Sequence, residues 1–414
     1  MPTAVPTEAA IPPLRIAPLL GPAIVAGVAY LDPGNVASNV TAGAQYGYLL
    51  IWVVVLGNVM AWLIQYLSAK LGIATGASLP EILGSRLRRR SSRYGFWVQA
   101  EVVAMATDIA EVIGGAIALQ LLFGLPLLAG GVVTGAVSLL LLAFQNRWGA
   151  RPFERVIAGL VLVIVVGFGA GVLLGPPDPA AAAAGLVPRF TDSGSVLLAA
   201  SILGATVMPH AIYAHSALTR DRFPRNAGSA DRRTLLRATR IDVTIALAVA
   251  GSVNVVILLI AAASLRGAPD TDTLQGAQRA LTAGLGAPVG VLFAVALLAS
   301  GLASTSVGAY AGAEIMRGLL HISVPLLLRR LVTLVPALAV LSLGIDPTLA
   351  LVISQVVLSF GIPFALLPLV TLTARRSVMG ESVNRPATTV ASLLAAAFLI
   401  LLNGTLLWLV LTGA

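Results

Sequence analysis

The chain of 414 residues contains no cysteine and is poor in charged residues. Without cysteine, neither disulfide bonds nor thiolate metal sites can form. Charged residues make up only 10% of the chain, whereas hydrophobic residues make up 58%, and the mean hydropathy is +0.95. This composition excludes an ordinary soluble globular domain and indicates a protein that crosses a membrane several times.

Acidic residues are the scarcer charged class, 17 against 26 basic residues. An excess of basic charge can indicate nucleic-acid binding, but here the arginines occur in short segments between apolar runs and not on one domain. They are typical of topology signals, so we expect a lipid bilayer, and no nucleic acid, as the partner. The proline-rich start shows no cleavable signal peptide, so we expect the first apolar run to be retained.

Apolar runs long enough to cross roughly 30 Å of hydrocarbon predict eleven transmembrane helices, and hence an all-α polytopic membrane protein. The predicted spans are 17–42, 46–70, 97–123, 127–145, 152–174, 195–218, 240–265, 284–316, 327–344, 347–372 and 388–412. A missed or additional span in the middle of the chain would invert the sidedness of everything that follows it.

Basic residues distinguish the two sides of the membrane. If the N-terminus is inside, every basic residue lies in a cytoplasmic segment except Arg189, Arg266 and Arg279. The positive-inside rule therefore predicts a cytoplasmic N-terminal tail (1–16) and an external C-terminus. We expect a multi-pass protein of the plasma membrane.

The first span is interrupted near its middle by Asp32, Pro33, Gly34 and Asn35. A carboxylate at this depth costs a few kcal/mol or more. Pro33 removes a backbone donor and Gly34 relaxes the helix, so the segment is predicted to unwind around a ligand. Because the charged group is an acid, the expected ligand is a cation.

The sixth span carries a second break, from Gly204 to His210. Five spans separate the first helix from the sixth, and an odd number means that the second half enters the membrane from the opposite side. The pattern predicts two inverted five-helix repeats, 17–174 and 195–372, with 388–412 as an additional helix. Proline kinks without function occur in many membrane helices, but two matched breaks, one carrying an acid, favour a binding site.

Five groups at the breaks could bind a cation. The helix halves that precede the breaks end in the carbonyls of Ala29 and Ala205, Asp32 and Asn35 supply a carboxylate and an amide oxygen, and Met208 supplies a thioether. Magnesium and calcium prefer oxygen alone, so a mixed oxygen and sulfur set points to Mn²⁺, Fe²⁺, Co²⁺ or Cd²⁺. Methionine more often fills an apolar gap, but its position at the break favours a ligand.

The third span contains an unusual row of acids, Glu101, Asp108 and Glu111, on one helix face. Intramembrane acids usually mark a proton relay or an ion pathway. The alternative is a structural ion-pair network with Arg329 and Arg330 of the ninth span, and both interpretations stay open.

Three histidines complete the set of titratable candidates. His210 follows the second break and can change charge near neutral pH, but a core histidine with satisfied hydrogen bonds is an equal alternative. His215 lies on another face of the same helix and His321 in a connection, so neither is expected to be a primary ligand.

The run Asp32 to Asn35 and the run Met208 to His210, followed by Ser216, resemble the paired signatures of the Nramp (natural resistance-associated macrophage protein) family, which includes the bacterial MntH proteins. The similarity of arrangement extends over essentially the whole chain. It implies a LeuT-like fold and uptake of Mn²⁺ and Fe²⁺ with proton entry by alternating access.

The resemblance also implies roles for individual residues. Asp32, Asn35, Met208 and the Ala205 carbonyl would form the metal shell, which Gln355 of the tenth span would join in some states. The implied proton route comprises Asp32, His210, Glu111, Asp108, Glu101, Arg329 and Arg330. Ala211 stands where many members carry asparagine, a departure that leaves the ligands intact.

Together these observations predict a secondary active transporter that imports divalent transition metals with protons and needs no prosthetic group. A sodium-coupled amino-acid transporter of the same fold is an alternative, but Asp32 would repel the substrate carboxylate. A passive divalent-metal channel also remains open. A membrane-embedded enzyme is not expected, because no Ser/His/Asp or HExxH arrangement is present. The oligomeric state is undetermined, and a monomer is compatible with the sequence.

Overall fold

The computed structural model describes residues 19, 21–148, 150–223, 229–268 and 270–413. Within these ranges the regular structure is helical, and no β-strand occurs. The predicted tail (1–16) and the first residues of the predicted span 17–42 lie outside the described residues. The all-α fold class is therefore confirmed for the described part of the chain.

The helices follow one another in the order α1 (Pro22–Val28) with a 3₁₀ turn (Ala29–Leu31), α2 (Pro33–Tyr46), α3 (Ile51–Thr75), α4 (Leu79–Arg86), α5 (Arg90–Phe123), α6 (Leu127–Trp148), α7 (Ala150–Leu174), α8 (Pro179–Ala184), α9 (Ser193–Thr206), α10 (Pro209–Arg222), α11 (Ser229–Ser264), α12 (Leu274–Leu285), α13 (Ala287–Leu320), α14 (Leu326–Ser342), α15 (Pro347–Thr373), α16 (Arg376–Met379) with a 3₁₀ turn (Gly380–Ser382), and α17 (Pro386–Thr412). Helices lie at the positions of all the predicted spans, although α5 and α11 begin earlier than predicted. Both helices extend into polar sequence, because a helix does not have to end where it leaves the hydrocarbon core of a membrane.

The predicted number of eleven spans is not confirmed. Among the described residues, nine helical segments are long and apolar enough to cross a membrane, with α9 and α10 counted as one, and Pro22–Leu31 forms a shorter apolar helix. Two predicted spans fall short for physical reasons. The first is divided by its break, and α14 is only 17 residues long and carries two arginines in its first turns.

Both predicted breaks are present, and the backbone has a similar conformation at each. Asp32 adopts an extended conformation (φ −68°, ψ 162°) and caps α2, whose first residue is Pro33. Met208 is likewise extended (φ −63°, ψ 122°) and precedes Pro209, the first residue of α10. Proline is tolerated at the first helical position because its missing N–H has no partner there in any helix. Each proline therefore restarts a helix that the preceding residue has ended.

Two glycines allow α15 to lie directly against both breaks. A Cβ atom added to Gly34 would lie 1.7 Å from Nε2 of Gln355, and one added to Gly204 would lie 1.9 Å from its backbone oxygen. At Gly204 the close atoms belong to the backbone of α15, so no side chain fits there, whereas at Gly34 they belong to the Gln355 side chain, which would have to move. The division into the repeats 17–174 and 195–372 remains a prediction.

The Gly204 contact generates a stability prediction. Because Gly204→Ala would place its Cβ against the backbone of α15, we expect the variant to lose about 1–3 kcal/mol of stability through overpacking. The matched control is Gly169→Ala in α7, where an added Cβ meets nothing within 4 Å. Thermal unfolding in detergent should separate the two variants. Equal stability of Gly204→Ala and the wild type would contradict the close approach of α15.

Candidate functional site

The Asp32 carboxylate is fully buried and is held by neutral donors. Its Oδ1 accepts hydrogen bonds from the backbone N–H (2.9 Å) and the side-chain Nδ2 (3.1 Å) of Asn35. Its Oδ2 accepts from Nε2 of Gln355 at 3.2 Å. Among the described residues no basic side chain lies within ion-pair distance of Asp32. A buried carboxylate without a positive partner is stabilised by a cation or a proton.

The second break meets the first through Asn35. Its Nδ2 donates to the Ala205 carbonyl at 2.7 Å. The Asn35 Oδ1 and the Gln355 Oε1 are buried and have no hydrogen-bond partner within the described part of the chain. Two amide oxygens without donors therefore adjoin the carboxylate, an arrangement that suits a bound cation.

Met208 and Ala29 complete the set predicted from the sequence. Met208 is fully buried at the cap position of α10, where the second break places it. The Ala29 carbonyl accepts a long hydrogen bond (3.3 Å) from the Asp32 backbone N–H, which leaves its second lone pair available. Asp32, Asn35, Ala205, Met208 and Gln355 all have zero exposure, so this structure closes the site to both sides of the membrane.

The part of the chain that the structure describes contains no second metal centre of the usual composition. Among the described residues, no group of three or more His, Asp or Glu side chains could hold a metal ion. The acids that do cluster, on α5, face arginines. A metal bound at the breaks would be held by the mixed set of carboxylate, amide, carbonyl and thioether.

The acids of α5 and the arginines of α14 form one buried network. Arg330 is fully buried, and its Nη1 lies 2.6 Å from Oδ1 of Asp108 and 3.2 Å from Oε2 of Glu111. Arg329 Nη2 lies 2.7 Å from Oε1 of Glu101, and its Nη1 lies 3.5 Å from Oδ2 of Asp108. Three carboxylates thus share two guanidinium groups, and one negative charge is left over if all five groups are ionised.

Arg330 also fixes the network to the surrounding helices. Its Nε donates to Ser138 of α6 at 3.0 Å, and its Nη2 donates to Thr305 of α13 at 3.2 Å. The Oε1 of Glu111 has no hydrogen-bond partner among the described residues and faces Gly308 of α13, where an added Cβ would lie 3.2 Å away. Glu111 is therefore the least satisfied carboxylate of the fully buried pair beside Arg330.

The network adjoins the first break through Pro33. A Cβ added to Gly114 would lie 2.1 Å from Cβ of Pro33, and one added to Gly301 would lie 3.4 Å from its Cγ. Glu111 precedes Gly114 by one helical turn on α5. The metal-site candidates and the ion-pair candidates are therefore separated by about one turn of one helix.

The histidines have distinct surroundings. His210 is buried, and its Nδ1 lies 3.2 Å from the hydroxyl of Thr107, the residue before Asp108. His321 is exposed and ends α13 in a left-handed conformation, in accord with its exclusion from the ligands. His215 is fully buried and is not among the residues that bond to Asp32.

Sequence reasoning missed a polar chain that leads from His215 to the first break. Its Nδ1 lies 2.7 Å from Oε1 of Gln65, whose Nε2 donates to the hydroxyl of Tyr30. All three side chains are buried, and Tyr30 precedes Asp32 by two residues. From the sequence, only the position of Tyr30 close to the first break could have indicated these hydrogen bonds.

A second missed cluster lies at the end of α10. The Nη1 of Arg220 lies 2.8 Å from Oε2 of Glu81 on α4 and 3.0 Å from Oε2 of Glu314 on α13, and its Nε donates to Asp221 at 2.8 Å. Arg317 pairs with Glu314 at 2.5 Å. The sequence marks Arg220 only as one basic residue among many, whereas the structure shows that it ties three helices together.

At the other end of α2, a hydrogen bond joins this helix to the residue that precedes α9. The hydroxyl of Tyr46 donates to Oδ1 of Asp192 at 2.7 Å. The Ser195 backbone N–H and the Tyr46 hydroxyl both stabilise the charged form and hold the pKa of Asp192 below its usual value. Trp52 packs edge-on against Phe190 on the same side. The buried site thus has polar contacts at both ends that could open separately.

Proteins related in sequence cover nearly the whole chain. The profile of the Nramp family, described as natural resistance-associated macrophage protein-like, matches residues 23–409. The divalent metal cation transporter MntH of Mycobacterium tuberculosis strain H37Rv is 60% identical over 395 residues, which cover 95% of this chain and 92% of that protein. The protein of the same name from Deinococcus radiodurans is 50% identical over 401 residues, covering 96% and 91% of the two chains.

Solved structures agree with the sequence relatives. The manganese transporter of Eremococcus coleocola, in complex with an aromatic bis-isothiourea substituted compound, aligns with a TM-score of 0.84 at 33% identity and covers 96% of this chain and 87% of that one. A nucleobase-cation-symport-1 family transporter in a closed conformation aligns with a TM-score of 0.60 at 15% identity over 95% and 93% of the two chains, a likeness of fold alone. The predicted fold class and family are confirmed, and the chain belongs to the Nramp family.

Proposed function

We propose that this protein is a secondary active transporter that imports divalent transition metals, Mn²⁺ and Fe²⁺ foremost and also Co²⁺ and Cd²⁺, together with protons. The observation that carries the proposal is the fully buried Asp32 carboxylate, which lies at two matched helix breaks beside amide oxygens without donors. The names of the relatives, divalent metal cation transporter and manganese transporter, support the same substrate class.

In the proposed metal shell, Asp32 supplies the charge and Met208 the soft ligand, while the carbonyls of Ala29 and Ala205 add backbone oxygens. Asn35 and Gln355 now direct their amide nitrogens at Asp32 or Ala205. Rotation of each amide about its last torsion would exchange nitrogen for oxygen and turn two donors into two ligands. The substrate cation would thus replace the hydrogen bonds that hold the closed site together.

Alternating access is the proposed mode of transport, because the described site is closed at both ends. Inward release would require α10 to separate from α4 and α13 at Arg220, and outward opening would require the Tyr46 to Asp192 contact to part. A passive channel would need a continuous opening, which the fully buried site does not offer. We propose the orientation predicted by the positive-inside rule, in the plasma membrane.

The amino-acid transporter alternative has a specific observation against it. A substrate carboxylate would have to bind the free amides at the start of α2. Here the Asn35 backbone N–H already donates to Asp32, whose own charge would repel a second carboxylate. These contacts at the first break therefore favour a cation as the ligand.

The proposed proton route leads from Asp32 to Glu111, Asp108 and Glu101, with the two arginines and His210 beside it. Three carboxylates share two guanidinium groups, so one proton would balance the charge of the network. Glu111 is the proposed carrier, because it has an unpartnered oxygen and lies one turn from the contact with Pro33. The other carboxylates would then serve chiefly to hold the arginines.

We predict that Asp32→Asn abolishes metal binding and transport. The amide keeps the shape of the side chain but removes the only anionic ligand from a site of low dielectric constant. Mn²⁺ binding by titration calorimetry and Mn²⁺ uptake into proteoliposomes should both disappear. The matched control is Asp178→Asn, which removes an exposed carboxylate at the start of α8 and should transport normally. Robust uptake by a folded Asp32→Asn protein would refute the assigned site.

We predict that Met208→Ala retains part of the Mn²⁺ transport while Ca²⁺ or Mg²⁺ begins to compete or cross. Removal of the sulfur leaves room for water and makes the ligand set harder. Competition of excess Ca²⁺ with Mn²⁺ uptake provides the measurement. Met60→Ala is the control, because Met60 is a buried methionine of α3 that belongs to neither break, and its selectivity should stay that of the wild type. If Met208→Ala behaves like Met60→Ala, then Met208 serves only packing.

We predict that Glu111→Gln uncouples proton movement from metal movement with little loss of stability. Two carboxylates and two arginines remain, so no charge is left unpaired. By contrast, Asp108 contacts both arginines, and Asp108→Asn should cost roughly 3–5 kcal/mol of stability.

Thermal unfolding, Mn²⁺ uptake and the response of a pH-sensitive dye are measured on the same preparations. Lost proton flux with near-normal unfolding in Glu111→Gln is the expected result. Intact coupling together with a large loss of stability would show that Glu111 belongs to a structural network instead.

A further inference from the structure

A polar cavity of about 360 Å³ lies between α3, α11 and the segment that leads into α17. Its charged lining consists of Lys70, Arg232, Arg233, Arg240, Arg385 and a single acid, Glu381. With five cationic groups and one carboxylate, the cavity has an excess of positive charge, whereas the Asp32 site is negatively charged. No residue of the proposed metal shell or of the proposed proton route lines the cavity.

The five cationic groups of this cavity form no ion pairs in the part of the chain that the structure describes. Lys70 is only 8% exposed, and its Nζ donates to the neutral Oδ1 of Asn384 at 2.9 Å. The Nε of Arg232 is buried and has no hydrogen-bond partner among the described residues. Buried cations are ordinarily paired, as Arg220 is with three carboxylates, so this cavity is suited to an anion from outside the chain.

The wall of the cavity places it at the level of lipid headgroups. The guanidinium of Arg240 lies 5.1 Å above the ring of Tyr66, which stacks on Trp62. Tyrosine and tryptophan concentrate at membrane interfaces, where one end is apolar and the other is hydrated. Along the same two helices, Val59 is 59% exposed and Ile245 is 49% exposed, as expected of surfaces that face acyl chains. An anion with an apolar tail fits this combination better than a free ion.

We propose that the cavity binds the phosphate group of an anionic phospholipid. Guanidinium and ammonium groups bind phosphate oxygens through charge-assisted hydrogen bonds, and basic pockets between membrane helices bind such headgroups. The lipid phosphate would pair with Arg232 and Lys70, and its acyl chains would lie along Val59 and Ile245. Free inorganic phosphate shares the headgroup chemistry but has nothing to place on the apolar surface.

Lipid binding at this position should stabilise the helix that also anchors the first broken span. Asp242 lies two residues after Arg240 on α11, and its carboxylate accepts hydrogen bonds from the backbone N–H groups of Gly21 (3.1 Å) and Ala23 (2.9 Å). A lipid phosphate would relieve the repulsion among the arginines at the end of α11. Binding is therefore expected to raise the unfolding temperature of the full chain, which provides a second readout.

The test uses the full chain, purified in detergent and stripped of lipid. Phosphatidylglycerol, phosphatidylcholine and inorganic phosphate are titrated separately, and bound lipid and unfolding temperature are measured by native mass spectrometry and by a thermal scan. We expect phosphatidylglycerol to bind and stabilise, and the other two to do so far more weakly. Arg232→Gln should weaken phosphatidylglycerol binding roughly fivefold, and Arg232→Lys should restore part of it.

Arg237→Gln is the matched control, because it removes an exposed arginine from the same end of α11 that does not line the cavity. Its lipid binding should equal that of the wild type. If Arg232→Gln does not fold, Lys70→Gln replaces it, since the amide can keep the hydrogen bond to Asn384. Equal losses in cavity and control variants, equal binding of both lipids, or equal stabilisation by inorganic phosphate would overturn the proposal.

Discussion

The structure depends on a buried carboxylate, Asp32, that has no positive partner among the residues that the structure describes. Asp32 can occupy this position only because the helix ends there, so that Asn35 and Gln355 can donate to it. Pro33 restarts α2 after the break, and Gly204 allows the backbone of α15 to come close. The helix break, the packing of α15 and the hydrogen bonds to Asp32 therefore all stabilise one negative charge that has no positive partner among the described residues. A metal ion or a proton would neutralise this charge.

The other charged clusters also differ in how far their positive and negative charges balance. The α5 and α14 network has three carboxylates for two guanidinium groups, which leaves room for one proton close to the first break. Arg220 pairs with Glu81 and Glu314 and so joins α10 to α4 and α13. The cavity around Arg232 has an excess of positive charge at the membrane surface. The lack of positive charge beside Asp32 favours a cation as the ligand there. The excess of positive charge around Arg232 favours an anion.

The sequence allowed the breaks and the acidic row to be predicted, because each leaves a local signal, whereas the roles of the site residues stay predictions. Pro33 and Pro209 mark helix starts, and acids in apolar sequence are costly enough to be informative. The contacts of Gln65 with His215 and of Arg220 with Glu314 leave no such signal, since they join helices that are distant in the chain. The predicted number of eleven spans is not confirmed for a related reason: α14 is short, and its two arginines are stabilised by partners on α5 and not by its own sequence.

The central claim is that the two helix breaks bind the transported metal between them. The most direct test is anomalous diffraction at the manganese edge from crystals of the protein grown with Mn²⁺. The account predicts one strong peak within coordination distance of the Asp32 carboxylate and the Met208 sulfur, with amide oxygens of Asn35 or Gln355 turned towards it. A peak at the α5 carboxylates, or none at the breaks in crystals that contain bound manganese, would contradict it.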